Sequence, residues 1–544
     1  MNRNLFSDER LLDRTGNREN ASYWEGATPG GIVCTAHYRA TEAGVCVMSA
    51  GGNAVDAAVA ASLALGVVEP AASGLGGMAM MLVHLAQDER TFMLEGPCRA
   101  PAAASPEAVI QCNRKLGYGA VAVPTYPAVI DQALRFYGTM SLDAVAKPAI
   151  ALAEGGYRVT PFQHQLLRDY RPAILRGNAA SLLLEEGGQP PPPGALVRNL
   201  PLARTLRKLA AGGAEEFYHG ALGRRILEDM AVNGGFVSKR DFIDIPWPIE
   251  TMPLQSRFRD WHVFTAAPPG GGLSLLEMLH LYEALGPTGV DPDTCEGATL
   301  LVEIIRKVRQ DRRRLRLNLT RDWAFANPLL LRESYARRTA RRMRDRLSGA
   351  GETTHLNVVD RHGNMVALTQ SIERSFGAKV ATAELGFLYN GFMKGFKLHS
   401  RGHPHYLRPG AVARSNASPS ILFRSDGTAC AIGSTGSERM ASGIFQVLIR
   451  MERQSPFDAV KAPRLHCTPE GKVTCEAQRF DPIILDYLSA QGFEVAAYKQ
   501  AWAFAAGGLH LAGIRLGMPW GVADPRRDGL AAGPGQMQSQ NEPP

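Results

Sequence analysis

The stretch TTHLNVVDRHGNMVALTQS, residues 353 to 371, constrains this chain more than any other. It reads as two alternating strands joined by Asp360 to Asn364, a permitted five-residue hairpin loop in which Gly363 is free to adopt a positive φ. That loop dictates a register. Val359 faces Met365, Asn357 faces Ala367, His355 faces Thr369 and Thr353 faces Ser371, with opposed Cβ atoms about 5 Å apart. The other face carries Thr354, Leu356, Val358, Val366 and Leu368 and belongs in a core, which leaves the Thr353 face as the polar one. Two hydroxyls therefore meet at the hairpin's open end. Cross-strand Thr and Ser pairs also simply stabilise sheets, so the pairing alone leaves both a structural and a catalytic reading.

Chemistry at Thr353 needs a base, because a threonine hydroxyl is a poor nucleophile until something takes its proton. One solution is a Thr whose own free α-amine does so. Thr353 gains that amine if the chain is cut between Glu352 and Thr353, and the linker LSGAGE (347 to 352) is small, glycine-bearing and suited to such a cut.

A chain of 544 residues exceeds one simple core and calls for two domains or one large layered domain. GGNAVDAAVAASLALGV reads as an alanine-rich helix buried nearly all round, and MAMMLVHLA and ERTFMLEG read as paired strands, so helices packed on sheet are expected. Residues 1–27 read as a loose arm and 534–544 as a disordered tail. APPGGGLSLLEMLHLYEAL sends a glycine loop into a helix, but lacks the Lys and Ser/Thr of a nucleotide-binding loop and reads as a structural turn.

The net charge of +8 is concentrated in 306–321 and 332–347, two helical patterns with one apolar face each and no aromatic-rich reader motif. Solvated helix faces are expected rather than nucleic-acid binding, and the basic balance suits an anionic small substrate. Eight cysteines without a CxxC pair indicate neither a zinc ribbon nor a disulfide framework. His399, His403 and His405 have no carboxylate or Cys at ligand spacing, so a solvated loop is expected and no metal or other cofactor. The N-terminus lacks the apolar core of a secretory signal, and the longest apolar run contains Asp56 and is too short to span a bilayer. A cytoplasmic location with no membrane partner is the expectation.

Over about Gly30 to Gly533 the sequence resembles the γ-glutamyltransferase family of N-terminal nucleophile hydrolases. The resemblance rests on GGNAVDAAVAASLALGVVEP with SGLGG (51 to 77), SLDAVAKPAIALAEGGYRVT (141 to 160), NGGFVSKRD (233 to 241), TTHLNVVDRHGN (353 to 364), SPSI (418 to 421) and ADPRRDG (523 to 529). It implies an α+β fold, a four-layer αββα sandwich. It also implies a precursor that cleaves itself into a large chain, 28–352, and a small chain, 353–533. Thr353 then resembles the nucleophile, its α-amine the general base, and Ser371 the second hydroxyl bonded to the nucleophile. GSTGSER (433 to 439) resembles the family's GSPGGSR, which puts the oxyanion hole at the Gly436 and Ser437 amides. Only backbone N–H groups are needed there, so the hole is expected to survive the Ser.

The pocket departs from the family's pattern. EGPCRAP places Pro97 where the family's Arg holds the glutamyl α-carboxylate. NGFMKGF gives Lys394 and Gly395 for two Asp residues, the second of which holds the α-amino group. Ser415 and Asn416 replace a Ser pair, and Glu373 replaces an Asn. The Asp replacements shift the site by about three units of charge toward positive, which disfavours an amine and favours an extra carboxylate. Arg99 and Lys394 are the candidates to hold it, with a structural arginine the other reading of Arg99. The expected activity is a self-processing Thr hydrolase acting on an amide or other acyl bond of a small anionic substrate, oxamate-type or dicarboxylic monoamide. The alternatives are a true γ-glutamyltransferase or glutathione hydrolase, and an inactive relative serving as a binding or structural protein.

Overall fold

The computed structural model describes residues 18–285, 290–314, 330–332, 334–336 and 353–536. Two seven-stranded sheets form its centre. The first runs in spatial order Leu530–Ala532, Gly31–Thr35, Thr354–Asp360, Met365–Ser371, Met78–Leu85, Arg90–Gly96 and Ile249–Thr251. The second runs Glu25–Ala27, Met518–Val522, Leu509–Arg515, Ala429–Ser434, Ser420–Phe423, Trp261–Thr265 and Leu254–Phe258. Every neighbouring pair in both sheets is antiparallel.

Strand alternation separates two cores. Leu356, Val358, Val366 and Leu368 pack with helices α1 (Tyr38–Ser49) and α2 (Ala54–Val68) on the outer face of the first sheet. Val359, Met365 and Ala367 face the second sheet, whose far side is covered by α3 (Gly272–Ala284), α4 (Cys295–Arg314) and α5 (Met440–Arg450). The result is the αββα sandwich. Helix α2 needs no polar face because it lies within the structure, and Asp56 inside it completes a capping box with Asn53. A glycine loop delivers α3 onto the second sheet as a structural turn, with the Gly271 N–H donating to the Ala417 carbonyl at 2.8 Å.

The hairpin register is the expected one, with His355 opposite Thr369, Asn357 opposite Ala367 and Val359 opposite Met365. The polar face, however, is not solvated. Both strands are buried throughout, because that face meets the second sheet instead of water. Gly433 makes the approach possible: a Cβ there would lie 2.1 Å from the His355 ring.

The expectation of a loose arm over residues 1–27 is contradicted where those residues are described. Glu25–Ala27 pairs with Met518–Val522 and Trp24 is buried, so the part of residues 1–27 that is described, from Arg18 onward, belongs to the folded body. Hydrogen bonding to an open sheet edge is what orders it. At the other end Thr28 Oγ1 donates to the Pro534 carbonyl at 2.9 Å, and 537–544 lie outside the described residues.

Candidate active site

A cleft of about 620 Å³ opens where the hairpin ends, and Thr353, Ser371, Glu373, Lys394, Ser415 and Asn416 all line it. That volume suits a small molecule. Thr353 Oγ1 lies 3.2 Å from Ser371 Oγ, to which it donates, and Ser371 Oγ also accepts the Glu373 N–H at 2.9 Å. Neighbouring strands thus place the two hydroxyls together, as the register requires. Glu352, on the other side of the expected cut, lies outside the described residues.

The next two residues do not reach the cleft. Thr354 points to the opposite face and donates to Glu69 Oε2 at 2.6 Å. His355 lies between the sheets, where Nδ1 accepts from Thr369 Oγ1 at 2.9 Å and Nε2 donates to Asn357 Oδ1 at 3.0 Å. Asn357 Nδ2 in turn donates to the His510 carbonyl at 2.6 Å, in the second sheet. Burial pushes His355 down to about 4, so the ring is neutral and only weakly basic, and it spaces the two sheets.

The turn that follows Ala429–Ser434 carries Gly436 at φ +100° and Ser437 at φ +54°. Glycine adopts such angles freely, whereas serine is strained there. Ser437 also borders the cleft, and its Oγ accepts from Asn416 Nδ2 at 3.3 Å. Helix α5 starts directly after this turn and aims its N-terminal amides toward it.

Arg99 is not in the cleft. Its backbone bridges Val123 and Val412 and its Nη2 donates to the Trp247 carbonyl at 3.4 Å, so the structural reading applies. Lys394 is half-buried on a short 3-10 turn, Phe392–Gly395, and faces the cleft. Ser415 is buried, with Oγ accepting from the Ala417 N–H at 3.1 Å. Asn416 Oδ1 and Glu373 Oε2 are buried without a hydrogen-bond partner among the described residues. Burial raises the Glu373 carboxyl above its ordinary value, opposed by Lys394 and Arg374.

Two expectations of solvated segments are overturned. The basic segment at 306–314 is not a free surface, because Arg309, Arg312 and Arg313 line the cleft. The Arg309 side chain is 9 % exposed and pairs with Glu438, whose other oxygen accepts from Arg414 Nη2 at 2.5 Å. Although burial alone would raise Glu438, Arg309, Arg414 and Arg312 hold it below its ordinary value. Arg312 Nη2 donates to the Ser415 carbonyl at 2.8 Å. The histidine loop also turns inward: His403 and His405 border the cleft, and burial lowers His405 to about 4. Among the described residues no group of His, Cys, Asp and Glu has the arrangement of a metal site.

The arginines missed in the sequence did leave a signal. Val302, Ile305, Arg309 and Arg312 follow one another at helical spacing, so the arginines continue a buried stripe. Arg414 and Glu438 left none, since their pairing depends on tertiary contact.

A family model described as Gamma-glutamyltranspeptidase matches residues 40–534. The chain is 30% identical over 557 residues to a glutathione hydrolase proenzyme from Pseudomonas sp. (strain A14), covering 92% of this chain and 94% of that protein. It is also 30% identical over 510 residues to an acylase ACY 1 proenzyme from Pseudomonas sp. (strain V22), covering 88% and 89%. The cephalosporin acylase from Bacillus halodurans superposes with a TM-score of 0.83 at 26% identity, covering 94% of this chain and 97% of that one. Sequence, fold and hairpin agree, and the chain belongs to the gamma-glutamyltranspeptidase family of N-terminal nucleophile hydrolases.

Proposed function

We propose that this protein is a self-processing amidohydrolase for small anionic acyl donors, with Thr353 as nucleophile. The chain is cut between Glu352 and Thr353, giving a large chain, 28–352, and a small chain, 353–533. The Thr353 α-amine then takes the hydroxyl proton as Oγ attacks the substrate carbonyl. The Gly436 and Ser437 amides receive the oxyanion, the amine leaves with a proton, and water hydrolyses the ester to restore the hydroxyl. Ser371 orients Thr353 through their hydrogen bond.

The observation that carries this reading is the company Thr353 keeps. Among the described residues, Arg309, Arg312, Arg313, Lys394, Lys397 and Arg414 share its cleft with three carboxylates, Glu373, Glu438 and Glu470. An excess of cation beside the nucleophile favours an acyl group bearing a carboxylate and no amine, as in oxamate or a dicarboxylic monoamide. A second reading, a true γ-glutamyltransferase or glutathione hydrolase, draws on Glu373, whose Oε2 has no partner among the described residues and would accept a substrate ammonium.

Two anilides decide between them, because glutaryl and γ-glutamyl p-nitroanilide differ only by the α-amine. Faster release from the glutaryl compound, by a chain cut before Thr353, is the expected result. Preference for the γ-glutamyl compound overturns the first reading in favour of the second. A chain that stays intact and releases p-nitroaniline from neither compound is a binding protein.

A further inference from the structure

We propose that Glu69 is a positioning residue for the nucleophile: by bonding Thr354 it pins the chain terminus that a cut before Thr353 creates. The inference rests on the reading of Thr353 as a self-released nucleophile and adds to it a residue that lies outside the cleft.

A new terminus frays unless something ties it down. Once the bond between Glu352 and Thr353 is broken, Thr354 is the one covalent neighbour of Thr353, so the nucleophile is held only as well as Thr354 is held. The ladder supplies one side of that hold, where Thr354 pairs with Gln370. On the other side the pairing with Gly31–Thr35 stops at Leu356, so Thr354 and His355 overhang the neighbouring strand. The Thr354 hydroxyl makes up for the missing strand by donating to Glu69 Oε2 at 2.6 Å, with both residues buried. A hydrogen bond to a carboxylate is roughly twice as strong as one between neutral groups.

Glu69 is built as an anchor. It closes α2, and its N–H donates to the Leu65 carbonyl at 2.8 Å, which fixes its backbone to a buried helix. The residues after it bond the other strand of the hairpin where that strand leaves the sheet. The Ala72 carbonyl accepts from the Ile372 N–H at 3.3 Å, and the Ala71 carbonyl from the Phe376 N–H at 2.8 Å. Residues 69–72 therefore grip both strands at the end where Thr353 Oγ1 meets Ser371 Oγ. Within the second grip Glu373 and Phe376 stand at φ +78° and +61°, and strain of that kind persists where surrounding bonds enforce it. Glu69 borders a separate cavity of about 70 Å³ and is not among the residues that line the cleft, so it acts through Thr354 and not on the substrate.

The test compares Glu69→Ala, Glu69→Gln, Thr354→Val and Thr354→Ser in the full chain. It reads chain cleavage on a denaturing gel, kcat and KM for the preferred anilide, and melting temperature. Glu69→Ala and Thr354→Val should each lower kcat by about tenfold or more and leave KM within about twofold, because the substrate's own contacts are untouched. Cleavage should slow less than turnover, since Thr353 is then still tethered on both sides. Glu69→Gln keeps an acceptor and Thr354→Ser keeps the donor, and each should recover kcat to within about threefold of the parent. The Glu69→Ala/Thr354→Val double variant should be about as slow as the worse single one, because both changes remove the same bond. If the alanine variant fails to fold, Glu69→Asp, one methylene short of Thr354, should show the same loss of kcat.

Variants that lower the melting temperature or raise KM while kcat stays unchanged overturn the positioning role and leave Thr353 as the nucleophile. Losses that multiply in the double variant, or conservative variants as slow as the disruptive ones, overturn it as well. A parent chain that neither cleaves nor releases p-nitroaniline overturns the nucleophile reading and this one with it, so the two failures are told apart.

Discussion

Gly433→Ala is the substitution that most directly probes how the two sheets set the site. Its Cβ would stand 2.1, 2.3 and 2.5 Å from three atoms of the His355 ring. Ordinary contact begins near 3.4 Å, so the ring must retreat by about 1.3 Å. A shift of that size breaks the bonds at 2.9 and 3.0 Å that the ring makes to Thr369 and Asn357. Overpacking of about 1–3 kcal/mol and two buried polar losses of about 1 kcal/mol each give a destabilisation of about 4 kcal/mol. An unfolding entropy of about 2.1 cal/mol/K per residue over 544 residues turns this into a fall in melting temperature of about 4 °C. Differential scanning calorimetry reads it. His355→Ala removes the clashing ring, so Gly433→Ala should cost far less in that background, a coupling of about 2–3 kcal/mol. Equal costs in the two backgrounds would refute the proposed contact between the sheets.

The other outcomes concern the nucleophile and its neighbours. Ser371→Ala takes away the acceptor of the Thr353 hydroxyl and should slow both chain cleavage and turnover by about tenfold, or about 1.4 kcal/mol, with Ser371→Thr restoring them; an unchanged time course on a denaturing gel would count against the pairing. Glu373 is raised by burial above its unfolded value near 4.5, so its protonated form favours the fold. The stability it contributes is fully present below that unfolded value and is lost as pH rises through the raised one. Glu373→Gln should flatten that part of a melting-temperature profile between pH 4 and 8, and a profile that keeps the same slope would exclude Glu373 as its source.

Much of the fold was legible because short-range rules agree with long-range packing. Alternation along 354–371 and the length of the loop predict the pairing without a partner strand in view, and α2 announces its burial by having almost no polar side chain. Polarity in this chain does not stand for solvent. His355 and Asn357 face another sheet, and their hydrogen bonds replace water. Arg309 and Arg312 look like surface charges until Glu438 and the Ser415 carbonyl, distant in sequence, arrive beside them. For Arg99 the sequence left two readings open, and the structural one applies because proximity in sequence to a motif says nothing of the direction in which a side chain leaves the backbone.

The strand order carries a last consequence. Gly31–Thr35 lies between Leu530–Ala532 and Thr354–Asp360, and Met365–Ser371 pairs with Met78–Leu85, so strands from before and after the proposed cut are interleaved in one ladder. The second sheet likewise joins Trp261–Thr265 to Ser420–Phe423 across the same boundary. Neither fragment owns a complete sheet. Scission would therefore act as a one-way record of assembly: the cut pieces stay woven together while native, yet once unravelled they face a bimolecular search that the single chain never had to make.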